Sequence, residues 1–311
     1  MALDDFSARV TNRLRYLAAG IPAPLRGSVE TLIARPGKRL RTAMLYACAM
    51  LGSPSPGRPE RAAAVVELMH IASLLHDDIV DRAAERRGAP AAHTQVGTES
   101  AILTGLACFS TAGMEAADLG PGAYRTVTRA AARLAYGQVL DLERAFDVDL
   151  SIEDYLELAS AKTGELFRLC CRMGAAEGRC KPDVLRAAVH FGSRTGIAFQ
   201  ILDDCLDLEA AATGKPRGTD LLRGLIGAPV VLALTHDTDH SLTALLLDPR
   251  LTAGDIPAVA EHITRLGGIT AARELAATQL DHARHGLDSL PDTPGRAALR
   301  GLLHSVENAP A

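Results

Sequence analysis

The chain has 311 residues, a net charge near −4 and a hydrophobic content of 48%, enough for a large core. Aromatics make up 4% and Trp is absent, while Ala and Leu dominate, a mixture that favours helices over strands. The weakly acidic balance carries no nucleic-acid footprint, and the six cysteines show neither a CxxC pair nor a zinc spacing.

In chain order, the first sixteen residues mix Asp4 and Asp5 with Arg9, Arg13 and Arg15, with no apolar stretch of a secretory leader. Turn-forming residues then mark breaks at Ile21–Pro24, Pro36-Gly37 and Gly52–Pro59. Between the last of these and Gly88–Gly97, the stripe Val65, Leu68, Met69, Ala72 and Leu75 has helical spacing. Further breaks follow at Leu119–Gly122, Gly174–Pro182, Ala212–Thr219 and Asp248–Pro257, with a second stripe at Leu156, Ala159, Thr163, Leu166 and Phe167. No run alternates like a strand, and the segments of about 15 to 30 residues predict an all-α chain of about a dozen helices in one domain, 1–311. Cys48, Cys108, Cys170, Cys171, Cys180 and Cys205 read as buried small hydrophobes. No stretch is long and charge-free enough to span a bilayer, so the expectation is a soluble, cytoplasmic protein.

Two acidic clusters stand out. Asp77, Asp78 and Asp81, like Asp203, Asp204 and Asp207, fall at i, i+1 and i+4 at the end of an apolar run. The first and last members of each share a helix face, a turn apart. One such triad alone is usually a solvated helix end. Two at the ends of apolar helices repel unless cations hold them, and hard oxygen donors suit Mg²⁺. Their similarity predicts two helices facing each other across a shared apolar cavity. Cations complete the pattern: Lys38, Arg39 and Arg41 follow Pro36-Gly37, Arg86-Arg87 follow the first cluster, and Lys162 and Lys215 stand beside small or hydroxylic residues. Such a set suits a diphosphate, which Arg grips bidentately and Lys meets as a point charge. There is no GxxxxGK[ST] or GxGxxG loop for a nucleotide and no nucleophile elbow, so the implied chemistry is ionisation of a diphosphate ester in a dry pocket. His70 and His76 lie close to the aspartates and read as packing or supporting residues, since Mg²⁺ prefers oxygen.

With these residues the chain resembles the trans-isoprenyl diphosphate synthases, the polyprenyl synthetase family, over nearly its whole length. The matching stretches are GKRLR at 37–41, VELMHIASLLHDDIVDRAAERRG at 66–88, KTGELF at 162–167 and FQILDDCLDLEAAATGKPRGTDL at 199–221. The resemblance implies a single isoprenoid-synthase-type helical bundle around a deep central cavity. It implies three Mg²⁺ ions held by the two triads, chiefly Asp77 and Asp81 from one and Asp203 and Asp207 from the other. Arg86, Lys162 and Lys215 would hold the allylic diphosphate, and Lys38, Arg41, His70 and Arg87 that of isopentenyl diphosphate. Thr163 and Gln200 would steady the cation while the isopentenyl double bond attacks it. Homodimers are usual in the family, and the aliphatic helix around Leu103–Met114 is the expected interface.

The sequence also departs from the family's pattern. Leu225 stands where a further diphosphate-binding lysine is expected, and a Gly-Asp pair reads Gly105-Leu106, a change expected to alter local packing. One turn before Asp77 the small residues Ala72 and Ser73 take the place of a chain-stopping aromatic, with Met69 a partial floor and Phe109 the one plug on the facing helix. Eight residues of helix correspond to about 12 Å of wall, which predicts a product of twenty carbons or longer. A class I terpene cyclase on the same fold would need no isopentenyl site, so Lys38, Arg41, His70 and Arg87 favour the elongating enzyme. A non-catalytic partner subunit commonly loses an aspartate cluster, and both are intact here.

Overall fold

A computed structural model describes residues 2–209, 218 and 220–308. Fifteen α-helices are present among them: α1 Ala2–Ala19, α2 Ala23–Ala34, α3 Leu40–Ala49, α4 Arg58–Val80, α5 Ala92–Val96, α6 Thr98–Leu119, α7 Pro121–Glu143, α8 Ile152–Ala159, α9 Glu165–Glu177, α10 Pro182–Leu208, α11 Ala228–Leu234, α12 Ser241–Leu246, α13 Ile256–Arg265, α14 Gly268–Asp288 and α15 Pro294–Glu307. The all-α expectation holds. Pro59, Pro229 and Pro257 sit in the first turn of α4, α11 and α13, where the missing N–H is not needed.

The chain divides into two compact units. One comprises Met1–Ala132, Leu166–Gly192 and Gly286–Leu302; the other comprises Arg133–Glu165, Ser193–His285 and Leu303–Ala311.

In the first unit α4 is enclosed on nearly every face, and its predicted stripe Val65, Leu68, Met69, Ala72 and Leu75 is at most 1% exposed. Full burial of each large apolar side chain stabilises the fold by about 1.5–3 kcal/mol. α6 runs close beside α4: a Cβ at Gly105 would lie 2.3 Å from His76 Nε2, so any side chain there would have to displace the His76 ring. Leu106, by contrast, is 57% exposed, so its substitution for a carboxylate changes the surface rather than the packing. The break expected at Gly174–Pro182 falls between Glu177 and Pro182, and α9 runs through Gly174 itself. There the missing side chain admits the Leu45 carbonyl, 2.3 Å from where a Cβ would stand. After α4 comes a two-residue hairpin, β1 Glu85–Arg86 and β2 Ala89–Pro90, too short to show as an alternating run. Its turn, Arg87-Gly88, has φ of 53° and 70°, the left-handed pair a tight hairpin requires.

The second unit has two apolar clusters. Tyr155, Ala159, Ile197, Ile201, Cys205 and Val231 pack in one; Leu208, Leu221, Leu242, Ile256 and Ile263 pack in the other. Ile197, Ile201, Cys205 and Leu208 form one face of α10 at helical spacing, which sets the rotation of its acidic end. Between α8 and α9 a π-helical turn, Ser160–Gly164, interrupts the second predicted stripe. None of the described helices is long and apolar enough to cross a membrane. All six cysteines are free thiols, five buried and Cys180 half-buried.

Candidate active site

In the first unit the end of α4 separates its aspartates by exposure. Asp77 and Asp81 are half-buried and one turn apart, and the Asp81 N–H donates to the Asp77 carbonyl at 2.7 Å. Asp78 is only 1% exposed. The hairpin returns Arg86 to it, with Arg86 Nε donating to Asp78 Oδ1 at 2.6 Å. Burial pushes the Asp78 carboxyl above its ordinary range, and Arg86 opposes that shift.

Positive φ at Arg87 turns this neighbouring side chain elsewhere. Its Nη1 donates to the Arg35 carbonyl at 2.7 Å, and its Nη2 lies 3.2 Å from His70 Nε2. Arg41, in the first turn of α3, brings Nη1 to 3.4 Å from the same nitrogen and lies over the Phe167 ring at 5.1 Å. A guanidinium only donates, so His70 Nε2 is the acceptor and the proton sits on Nδ1. Burial, then Arg41 and Arg87, hold His70 well below the usual histidine range, so it is neutral at pH 7. His70 Nδ1 and Arg41 Nε are both buried without a hydrogen-bond partner. Two guanidiniums and an orphaned N–H concentrated here make a receptor for an anion. Lys38 is exposed on the Pro36-Gly37 turn, where Gly37 (φ 63°) lies within 3.5 Å of the Arg87 guanidinium from its Cβ position.

In the second unit the π-helical turn carries Lys162 and Thr163, a local unwinding that often re-aims functional side chains. Gly137 of α7 permits it, since a Cβ there would stand 2.7 Å from the Lys162 backbone nitrogen. Lys162 Nζ pairs with Asp141 and Thr163 Oγ1 donates to Gln200 Oε1. Gln200 Nε2 in turn donates to Asp204 Oδ1 at 2.7 Å. Tyr155 OH and the Ala228 N–H donate to Asp204 Oδ2 at 2.6 and 3.0 Å. Burial raises Asp204 to about 6 against these hydrogen bonds. Asp203 is exposed and Asp207 half-buried. Asp220 is pushed up to about 7, first by burial and then by Asp207 and Asp204. Asp141, Lys162, Gln200, Asp204, Asp207, Asp220 and Leu225 line one cavity within this unit.

Thus Arg41, His70 and Arg87 come together, as do Lys162, Thr163 and Gln200. Arg86 is engaged by Asp78. Lys215 lies outside the described residues. Met69 and Ala72 are 0% exposed, so neither faces an open wall; packing fills the space beside them. Ser73 keeps open surface and donates to the His70 carbonyl at 2.9 Å, while Phe109 is half-buried against the His76 ring at 5.9 Å. Sequence reasoning missed Gly137, Asp141, Tyr155 and Asp220. Gly137-Gln138 with Asp141 four residues on was the available signal for the first two.

The donor chemistry suits a hard dication: the outer members, Asp77, Asp81, Asp203 and Asp207, are carboxylates with accessible surface. The middle members, Asp78 and Asp204, are held by hydrogen bonds from Arg86 and from Tyr155. Among the described residues no three His, Cys, Asp or Glu side chains converge as a ready ligand group. Mg²⁺ is commonly held in that way, by one or two carboxylates with substrate phosphate oxygens and water completing its shell.

An all-α chain with acidic helix ends and a separate cluster of cationic donors is of the prenyltransferase class, and comparison with known proteins agrees. The polyprenyl synthetase family model matches residues 22–262. The nonaprenyl diphosphate synthase of Mycobacterium tuberculosis is 36% identical over 86% of this chain and 81% of its own. A short-chain isoprenyl diphosphate synthase of Methanothermobacter thermautotrophicus is 32% identical over 96% and 94%. The crystal structure of a polyprenyl synthase from Caulobacter crescentus, complexed with calcium and isoprenyl diphosphate, superposes with a TM-score of 0.90 at 32% identity, covering 99% of this chain and 96% of that one. The chain belongs to the polyprenyl synthetase family and is an enzyme of the trans-prenyltransferase type.

Proposed function

We propose that the chain condenses isopentenyl diphosphate with an allylic diphosphate to give a longer all-trans prenyl diphosphate. The observation that carries this reading is the Arg41–His70–Arg87 cluster, a place for a second diphosphate apart from the aspartates. A class I cyclase has no use for it. Arg41 and Arg87 grip the isopentenyl diphosphate with Lys38 at the rim, and neutral His70 offers its Nδ1 proton without adding charge. Asp77, Asp81, Asp203 and Asp207 would hold Mg²⁺, and Lys162, Arg86 and Lys215 bind the allylic diphosphate. Magnesium, when bound, neutralises the diphosphate and makes it a better leaving group. Lys162 reaches that group by exchanging Asp141 for phosphate oxygen. Thr163 and Gln200 hold their oxygens toward the carbon that loses it, which stabilises positive charge there. The isopentenyl double bond forms the new C–C bond, a proton leaves to the released pyrophosphate, and the chain is five carbons longer.

The product is twenty carbons or longer, since small Ser73 stands one turn before Asp77 where an aromatic would block growth. The working form is a homodimer: Leu103, Leu106 and Met114 on α6 are 52%, 57% and 66% exposed, an apolar row suited to a second copy. Incubation with isopentenyl diphosphate, Mg²⁺ and allylic primers of increasing length, read by mass spectrometry, tests the reading. Elongation to twenty carbons or beyond is expected. Cyclic hydrocarbon formed without isopentenyl diphosphate would sink it, and a clean stop at fifteen carbons would remove the length assignment.

A further inference from the structure

Downstream of the second acidic cluster the chain makes a short 3₁₀ turn, Leu221–Arg223, closed by Gly224 with φ 72°. The Leu225 N–H donates to the Asp220 carbonyl and the Gly224 N–H to the Leu221 carbonyl, both at 3.0 Å. This is the paired 6→1 and 5→2 closure that favours an apolar residue directly after the glycine. Leu225 fills that place and lines the cavity. The turn is held from outside as well: the Phe146 N–H donates to the Gly224 carbonyl at 2.8 Å, and a Cβ on Gly224 would stand 2.4 Å from the Phe146 ring. Position 225 is therefore an apolar contact by construction.

Charge in this cavity is unbalanced. It is lined by Asp141, Asp204, Asp207 and Asp220, and Lys162 is the one cationic side chain among its described lining residues. Lys162 is paired with Asp141, so one cation faces four carboxylates here. Arg223 stands two residues before Leu225, just before the closing glycine, with Nη1 3.3 Å from Asp220 Oδ1 and its side chain 28% exposed. A diphosphate head group entering this acidic pocket needs positive charge beyond Lys162. A planar guanidinium paired with one half-buried carboxylate can move from it to phosphate oxygens, with two parallel N–H donors matched to them.

We infer that Arg223, joined to the cavity through its ion pair with the lining residue Asp220, is a further diphosphate-binding residue of this enzyme and carries the positive charge that position 225 lacks. The inference rests on the prenyl-elongating reading above. It is tested on the full chain with Arg223→Gln, which keeps a hydrogen-bond donor for Asp220 and removes the charge, alongside Arg223→Lys, Leu225→Lys and the Arg223→Gln/Leu225→Lys double variant. Calorimetric titration with inorganic pyrophosphate and Mg²⁺ gives binding directly; steady-state kinetics give KM for each substrate. Arg223→Gln should weaken pyrophosphate binding and raise the allylic KM on the order of tenfold, with the isopentenyl KM unchanged. Arg223→Lys should retain most of the affinity, and Leu225→Lys should restore it in the double variant. Unchanged pyrophosphate affinity in Arg223→Gln, an equal rise in both KM values, or no recovery in the double variant overturns the inference. If the wild-type chain binds Mg²⁺-pyrophosphate yet never lengthens a primer, the elongase reading fails alone, and the binding arm still decides Arg223.

Discussion

The two acidic clusters share one pattern but are built differently. In each, the middle aspartate is hydrogen-bonded within the fold, but Asp78 is buried whereas Asp204, like Asp207, is half-buried. At the end of α4, Asp78 is neutralised by a full charge, Arg86, delivered by a hairpin eight residues downstream. At the end of α10, Asp204 is held by neutral donors instead: Tyr155 OH, the Gln200 amide and the Ala228 N–H. In both, the hydrogen bonds offset burial only in part: Asp78 stays above its ordinary range and Asp204 is raised to about 6. The pattern i, i+1, i+4 therefore specifies which faces two carboxylates share. How the remaining one is satisfied depends on what folds against it.

The largest expected effect separates outer from middle positions. Asp77→Ala and Asp203→Ala should each lower kcat on the order of 10²–10³-fold, the usual cost of removing one electrostatic contact at a reacting centre, with little change in melting temperature. An equal loss of melting temperature would mean the outer aspartates are structural after all.

Next come the middle positions, read by urea denaturation. Asp204→Ala strands the buried Tyr155 hydroxyl and the Ala228 N–H, and should cost about 2–4 kcal/mol. Asp78→Ala strands Arg86, whose side chain is 30% exposed and can turn to water. Its cost should be smaller, about 1–2 kcal/mol. A reversed order would show that the ion pair, not the neutral network, is the stronger anchor.

A smaller effect concerns pH in the first unit. His70 lies well below its ordinary value of 6.5. As pH falls below that value the unfolded chain takes up a proton that the folded chain refuses, so stability declines with acid. One such group contributes at most about 1.4 kcal/mol per pH unit. His70→Asn should flatten the stability profile between about pH 7 and 5; an unchanged slope would assign the acid sensitivity elsewhere. Finally, Ser73→Phe should shift the product distribution to shorter chains with stability nearly intact, whereas Ala72→Phe must displace packed neighbours and should destabilise the fold. Identical product profiles for Ser73→Phe and wild type would remove Ser73 from the growing chain's path.

Much of this was legible beforehand because helices announce themselves through local spacing. The stripe from Val65 to Leu75 predicted α4 and its burial, and the prolines marked helix starts. Small residues have two uses. Gly174 opens the stretch where the break before Pro182 is expected, and its lack of a side chain also lets the Leu45 carbonyl approach α9. Ala72 was read as cavity wall because it is small, yet small residues also let helices pack closely. The pairing of Lys162 with Asp141 was not legible, because it depends on a π-helical turn and on Gly137 standing against it from twenty-five residues earlier.

The sequence by itself determined the helical class, the family, the two aspartate triads and the basic residues that go with them, since each is a matter of composition or short-range spacing. Only the tertiary structure decided which aspartates face outward, that Arg86 and Arg87 part company across one hairpin turn, that His70 is neutral between two arginines, and that Leu225 is an apolar turn contact beside Arg223. Those outcomes depend on burial and on partners distant in the chain. A carboxylate or imidazole takes its charge state from the groups folded around it, and no local pattern encodes them.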